Sequence, residues 1–504
     1  MRDPITNSLA IAAMPGLAKM AEDIDKELPK QRRSQRDTTS LLVLSGMARA
    51  MQSQEAAASA VKHTPLWEMV RASAASVGRE LPERPPSADS IDRWLANSDG
   101  QLGIVAERAL NPVAMALAHK MGLLLPSTPF SVDGLARAQH LTCDGTVAKP
   151  LSGVGEHNRF ARSRAADPAT GARIGNQYIG KNDDPNQAGS STDDPKNRGL
   201  PFVVASTHTG RRHGRLIFGF EAYQDGDEIA AATELFDRVI PLADGGIHWL
   251  HYDRLMNDTH VEQFTRNFGV IPIIEMHKAD PRSKHAQPVA PDDERFRRGK
   301  HGQHAPKERL RGTHYGSFRH ICADGQSVSL RLWMLDGELR VTRYGLRELS
   351  LDADPLRLVT VERRRSDDGR YQMLTTYELP CPSSPSCTIT VDLAQQPAAG
   401  ETDANALAMV TAGKVRILNE RNPAFWEVAG RRSDSESVMS TIKRTFPQHG
   451  RASRLHLGAF TWDLVGAALL SNAKAWDVHI AQHTSAGKAE FARQQKKFDM
   501  QVAA

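Results

Sequence analysis

Residues 1–125 alternate short apolar stretches with polar breaks and are rich in Ala, Leu and Met, with few β-branched side chains, which favours helix. Asp37-Thr38-Thr39-Ser40 supplies N-cap residues for a helix over Leu41–Ala60, and a second helix is expected over Leu66–Val77. A third follows Pro85-Pro86-Ser87 and sets Ile91, Trp94 and Leu95 on one face at i, i+3 and i+4. Short helices around a Pro-rich turn suit a DNA-reading helix-turn-helix and a plain helical bundle alike. After Pro126 the period changes. Strands are expected at Gln139–Cys143, ending at Asp144, and at Pro201–Ser206 and Arg215–Tyr223, the last two joined through Thr209–Gly214. A helix over Asp227–Val239, a strand over Gly246–Tyr252 reaching Asp253, a helix over Thr259–Phe268 and a strand over Gly269–Glu275 complete an α/β plan with a mixed sheet. Between them, the polar stretch Asp167–Gly199 lacks apolar periodicity and reads as a long surface loop or insert.

Residues from His277 to Phe425 depart from that plan. Alternating patterns at Ser327–Trp333, Leu339–Tyr344, Leu358–Glu362, Tyr371–Tyr377 and Thr388–Leu393 predict a small antiparallel β-domain inserted into the α/β unit. Helical pattern resumes at Ser433, with a long apolar helix over Leu457–His479 in which Trp462 and Trp476 are core residues by default. The chain thus divides into a helical region (1–128), the first part of an α/β core (129–276), a β-rich insertion (277–426) and the completion of the core (427–504).

Composition narrows the class. The 504 residues are 40% hydrophobic and 24% charged, which excludes collagenous, wholly disordered and small disulfide-stapled proteins. Four cysteines, Cys143, Cys322, Cys381 and Cys387, are too few for a disulfide framework, so a reducing cytosol is the expected compartment. The apolar run Val465–Leu470 falls far short of the ~18–20 residues of a membrane span. The N-terminal apolar run is broken by Pro15, and Asp3 cancels Arg2, unlike a signal peptide. The formal net charge of +5 is compatible with nucleic acid without requiring it. Within Arg282–Arg319, ten Lys/Arg stand against four Asp/Glu. This segment reads as a basic loop along phosphate or as a solvated charged surface.

Three carboxylates suit one site: Asp144 and Asp253 at strand ends and Glu436 in the first turns of a helix. Carboxylates at strand ends converge on one edge of a sheet, and such a cluster needs bound cations to persist. Oxygen donors select Mg²⁺ or Mn²⁺, and two such ions serve phosphodiester chemistry. Around Glu436 runs the pattern Arg432-x3-Glu436-x6-Lys443, with its members at helical intervals. Cations beside a ligating carboxylate suit a metal–phosphate site, and an ordinary ion-paired helix surface has the same spacing.

These residues resemble the DDE-type transposases of bacterial insertion sequences, in the group with a Tyr-x2-Arg-x3-Glu-x6-Lys signature. Asp144-Gly145-Thr146 is similar to the first-aspartate motif, and Tyr252-Asp253 with the following helix and Gly269–Ile274 is similar to the second. Arg432, Glu436 and Lys443 keep the signature spacing, and Ala429 stands at the tyrosine position. Ser471-Asn472-Ala473 is also family-like. The resemblance spans residues 137–480. It implies a ribonuclease-H-like core with Asp144, Asp253 and Glu436 as catalytic ligands of two Mg²⁺ or Mn²⁺ ions. It further implies cleavage at transposon ends followed by strand transfer, Lys443 on an end phosphate, and Arg432 holding that strand or the glutamate. The partners it implies are double-stranded DNA and a second copy of the chain. A related nuclease and an inactive DNA-binding regulator are the rival readings. Elsewhere, Cys381-x5-Cys387 with Cys322 and His320 suggests a zinc site, although its spacing is wider than usual. Cys143 reads as a buried strand residue, and His208, Arg211, Arg212 and His213 as a hairpin tip, solvated or DNA-contacting. No Walker loop or dinucleotide fingerprint occurs.

Overall fold

Polar residues at helix starts act as caps in this computed structural model. It describes residues 3–28, 37–63, 65–98, 101–130, 137–150, 200–210, 213–223, 228–252, 256–274, 286–288, 311–322, 324–335, 337–343, 354–379, 387–395, 406–419, 422–429, 433–446, 451–452 and 457–483. Among the described residues, the N-terminal part holds the helices α1 (Pro4–Ala12), α2 (Leu17–Glu27), α3 (Thr38–Ala50), α4 (Gln54–His63), α5 (Leu66–Ala75), α6 (Ala88–Asn97) and α7 (Gln101–Lys120). Asp37 caps α3 by accepting the Ser40 N–H at 2.9 Å. The single helix expected over 41–60 is two. Gln52 takes φ +57°, and Ser53 Oγ accepts the Ala56 N–H at 3.1 Å, so a serine cap restarts the chain as α4. In α6, Ile91, Trp94 and Leu95 are all buried, as their spacing requires.

The remaining elements are β1 (His140–Pro150), β2 (Leu200–His208), β3 (Arg215–Ala222), α8 (Glu228–Val239), β4 (Trp249–His251), α9 (Asp258–Phe268), β5 (Ile271–Ile273) and β6 (Ala286–Pro288). They continue through β7 (Arg311–Ile321), β8 (Ser327–Leu335), β9 (Glu338–Arg343), β10 (Asp354–Pro355), β11 (Arg357–Arg365), β12 (Tyr371–Glu378) and β13 (Thr388–Asp392). Last come α10 (Pro423–Ala429), α11 (Ser433–Arg444), β14 (Arg451–Ala452) and α12 (Leu457–His483). The protein is mixed α/β and forms two compact units, one of residues 1–126, 140–246 and 434–504, the other of residues 127–139 and 247–433. The expected insert over 167–199 lies outside the described residues.

In the first unit, β1, β2 and β3 form an antiparallel meander, and β14 joins β1 in parallel, so the sheet is mixed. The outer edge of β3 would expose unpaired backbone groups, and helix side chains take them. Asn472 of α12 accepts the Ile217 N–H at 2.7 Å and donates to the Ile217 carbonyl at 2.9 Å. Ser471 Oγ donates to the Arg215 carbonyl at 3.0 Å. From α7, Asn111 donates to the Phe218 carbonyl at 2.8 Å, and Glu107 accepts the Phe220 N–H at 3.0 Å. Burial raises the Glu107 pKa, and Arg238, 3.3 Å away, opposes that rise. The α7–α12 crossing is so close that a Cβ on Gly103 would lie 1.8 Å from the Gly458 carbonyl oxygen. Between α3 and α12, Arg49 and Asp463 pair at 3.5 Å with side chains only 3% and 2% exposed.

In the second unit, β4 and β5 are parallel neighbours, with α9 between them in sequence. Strands β10-β9-β8-β7-β6 form one antiparallel sheet and β11-β12-β13 another. Strand β7 lies in the segment read as a basic loop. The pairing of Ser317, Phe318 and Arg319 with β8 makes its C-terminal end strand, a long-range contact that its charge pattern conceals. The rest of that segment is described only at Ala286–Pro288, which pairs with β7 as β6.

Arg363 of β11 donates to the Ile247 carbonyl at 3.0 Å and the Gly269 carbonyl at 3.2 Å, and lies 4.9 Å from the Phe130 ring centre. His248 is buried in the same place. Burial first, and then the Arg363 charge, lower its pKa from 6.5 to about 4. Above pH 6.5 both folded and unfolded states hold it neutral. Below that, the unfolded chain takes up a proton that the folded chain refuses until about pH 4. Stability therefore falls as pH drops through this window, by up to about 3 kcal/mol from this group. Urea unfolding at pH 7 and pH 4.5 should show the fall, and His248→Gln should flatten it. Among the described residues, no helix is long and apolar enough to cross a membrane.

Candidate functional site

Asp144 lies inside β1, not at its end, because backbone pairing with β2 carries the strand on to Pro150. Its partner across the ladder is Val204, and Thr146 pairs with Phe202. The Asp144 side chain is half-buried, and its Oδ1 accepts the Gly145 N–H at 3.0 Å, which restrains the carboxylate. By strand alternation Cys143 and Gly145 face the opposite side. There a second acid approaches. A Cβ on Gly145 would lie 2.3–2.5 Å from the carboxylate of Glu228, the first residue of α8. Glycine after Asp144 is thus what admits this carboxylate to the strand.

Glu228 is 8% exposed and accepts a hydrogen bond from Tyr223 Oη at 2.8 Å. Burial, the Glu228 charge and, more weakly, Asp144 raise the Tyr223 pKa. Burial with Asp144 and Glu228 pushes the Cys143 thiol well above its ordinary value, so Cys143 is an inert buried strand residue. Glu228 and Tyr223 were not singled out from sequence. No spacing motif ties them to Asp144, and Glu228 follows other acids in an ordinary helix start.

Glu436 is exposed in the first turn of α11, where the helix terminus favours a carboxylate. Lys443 is half-buried in the last turn. Val438, Met439, Ile442 and, just beyond the helix, Phe446 are buried. At 100° per residue, Glu436 and Lys443 flank that stripe on one side, about 10 Å apart along the axis. An aromatic chain anchors the end of this segment. The ring of Phe446 stacks on Phe460 at 5.8 Å, and Phe460 meets Phe202 at 5.5 Å. Phe202 is the ladder partner of Thr146, two residues beyond Asp144. Arg49 adds a cation over the Phe446 ring at 5.4 Å, and Gln52 donates to the Arg444 carbonyl at 2.9 Å.

The structure thus carries Asp144 and Glu436 in one unit, linked by packed rings. Among the described residues, neither carboxylate belongs to a group of three or more His, Cys, Asp or Glu side chains close enough to hold one metal ion. Asp253 and Arg432 lie outside the described residues, as do Arg211 and Arg212 of the hairpin tip. Ala429 is the last residue of α10. Trp462 is buried as expected, whereas Trp476 is half-buried and stacks on His479 at 5.5 Å, because the last turns of α12 leave the core. The chain matches no family model and no curated protein sequence.

Proposed function

We propose that this chain is a DDE-type insertion-sequence transposase with a ribonuclease-H-like core, completed after a β-rich insertion and preceded by a DNA-end-binding helical region. One observation carries the reading. The helix bearing Glu436 and Lys443 at the signature spacing is tied through Phe446, Phe460 and Phe202 to the ladder that holds Asp144-Gly145-Thr146. Asp253 and Arg432 enter from the sequence resemblance alone.

The donor chemistry fits hard divalent cations. Asp144, Asp253 and Glu436 offer carboxylate oxygens only, Glu436 is exposed and Asp144 is half-buried. Two Mg²⁺ or Mn²⁺ ions held there would supply charge stabilisation at the attacking and leaving oxygens. The protein's own task is placement. The Gly145 N–H orients Asp144, the α11 terminus presents Glu436, and Lys443 holds a backbone phosphate as a point charge. Water attacks the phosphodiester at each transposon end and expels a 3′-hydroxyl, which then attacks a target phosphodiester and expels a target 3′-oxygen. Both ends must be processed together, so the working form is a dimer or larger assembly on double-stranded DNA, in the cytoplasm.

The test is cleavage of a labelled duplex carrying the element's own end, in Mg²⁺ and in Mn²⁺, with wild type beside Glu436→Gln. Metal-dependent nicking that the substitution abolishes, with duplex binding retained, supports the assignment. Binding without cleavage by either protein replaces it with a regulator, and equal cleavage by both removes Glu436 from the site.

A further inference from the structure

The second unit holds a group of soft ligands that the phosphodiester chemistry does not use. His320 Nδ1/Nε2, Cys322 Sγ and Cys387 Sγ offer donor atoms all within 4.8 Å of one another. The two thiols are 4% and 6% exposed and form no disulfide. We propose that these three side chains bind one zinc ion that clips together the ends of two hairpins belonging to different sheets.

Local structure explains how the three donors meet. His320 is the penultimate residue of β7 and Cys322 follows the strand, so strand alternation turns both to one side, while Ile321 between them is 69% exposed. The turn into β8 holds Cys322 from both sides. Its N–H donates to the Gln326 carbonyl at 2.7 Å, and its carbonyl accepts the Gly325 N–H at 2.9 Å, with Gly325 at φ +81°. From Gly316 onward the ladder keeps its register, with His320 opposite Val328. Cys387 comes from the other sheet. It immediately precedes β13, and its carbonyl accepts the Leu379 N–H at 2.8 Å, closing the end of the β12–β13 pair. Two hairpin mouths, each hydrogen-bonded, therefore present one sulfur apiece toward a shared imidazole.

The chemistry of the group points to a metal. Two thiolates and an imidazole form a soft set that suits tetrahedral zinc far better than Mg²⁺. With Zn–S near 2.3 Å and Zn–N near 2.0–2.1 Å, ligand atoms stand about 3.5–3.8 Å apart, inside the observed limit. His320 Nε2 is enclosed and makes no hydrogen bond, a costly state for a ring nitrogen that a metal bond would relieve. The three donors leave one tetrahedral position for a further ligand. Cys381 lies outside the described residues and takes no part in the assignment. Because the ligands come from two sheets far apart in sequence, binding free energy at this point is also folding free energy for the unit.

The full-length protein, purified without chelator, should contain about one zinc per chain by elemental analysis. Replacement by Co²⁺ should give thiolate-to-metal charge-transfer absorption together with the d–d bands of a tetrahedral site. Cys322→Ala, Cys387→Ala and His320→Ala should each lose the bound zinc, measured on the monodisperse folded fraction. If those variants fail to fold, wild type treated with a chelator and returned to Co²⁺ gives the same reading without substitution. The proposal is overturned by folded wild type that holds no zinc and gives no cobalt spectrum. It is overturned equally by zinc content unchanged in all three variants, or by a Cys322–Cys387 disulfide in non-reducing mass spectra of freshly prepared protein.

Discussion

On the proposed transposase reading, Asp144→Asn should lower metal-dependent end cleavage by about 10²–10³-fold or more, with thermal unfolding and duplex binding expected to stay at the wild-type level. The side chain keeps its shape, and the amide oxygen still accepts the Gly145 N–H, so the local backbone has no reason to move. What changes is charge. A neutral amide is a much poorer ligand for a hard cation than a carboxylate, and the stabilisation of charge at the reacting phosphate falls with it. Stability does not follow activity downward, because Asp144 stands near buried Glu228 and removing one negative charge relieves repulsion across the strand. Single-turnover cleavage beside a binding isotherm separates the two effects. Undiminished cleavage would remove Asp144 from the site and the transposase reading with it.

Asp463→Ala destabilises the first unit by about 3–5 kcal/mol, since it leaves the Arg49 guanidinium charged in a place that water does not reach. The pair spans α3 and α12 at 3.5 Å, and the same guanidinium lies over Phe446. Replacing both partners with apolar residues, Arg49→Met with Asp463→Leu, should recover most of the loss, because no uncompensated charge then remains buried. Urea unfolding of the single and double variants checks this. Recovery that is absent from the double variant would show that Arg49 matters through its contact with the Phe446 ring and not through its pairing with Asp463. Phe446 anchors the segment carrying Glu436 through Phe460 and Phe202, so on the proposed reading Asp463→Ala should also lower cleavage.

Much of this architecture is legible from local pattern. The strands around Thr209–Gly214 and the helices at α5, α6, α8 and α9 stand close to the positions their periodicity predicts. So does the start of α12, where Leu457 opens the long apolar helix. Each of these segments has a face decided by neighbours three or four residues away, or two in a strand, and that information is contiguous. The candidate site is less legible. Glu436 and Lys443 were found because one helix carries both. Glu228 was not, because its relation to Asp144 exists only once α8 is laid against β1 at Gly145.

The sequence by itself determined α5, α6, α8 and α9, the strands β2 and β3, the N-cap residues at Asp37–Ser40, and which residue types crowd around the Arg-x3-Glu-x6-Lys pattern. Tertiary structure decided the rest. β1 runs through Asp144 because β2 pairs with it on both sides of that residue. β7 extends out of a charged stretch because β8 supplies partners for its backbone. Asn472, a polar residue in an apolar helix, is explained by the open edge of β3. The approach of Cys387 to His320 and Cys322 depends on two sheets packing together. In every such case the deciding contact joins residues distant in the chain, whose meeting is governed by burial and backbone pairing across elements and leaves no periodic trace in either segment alone.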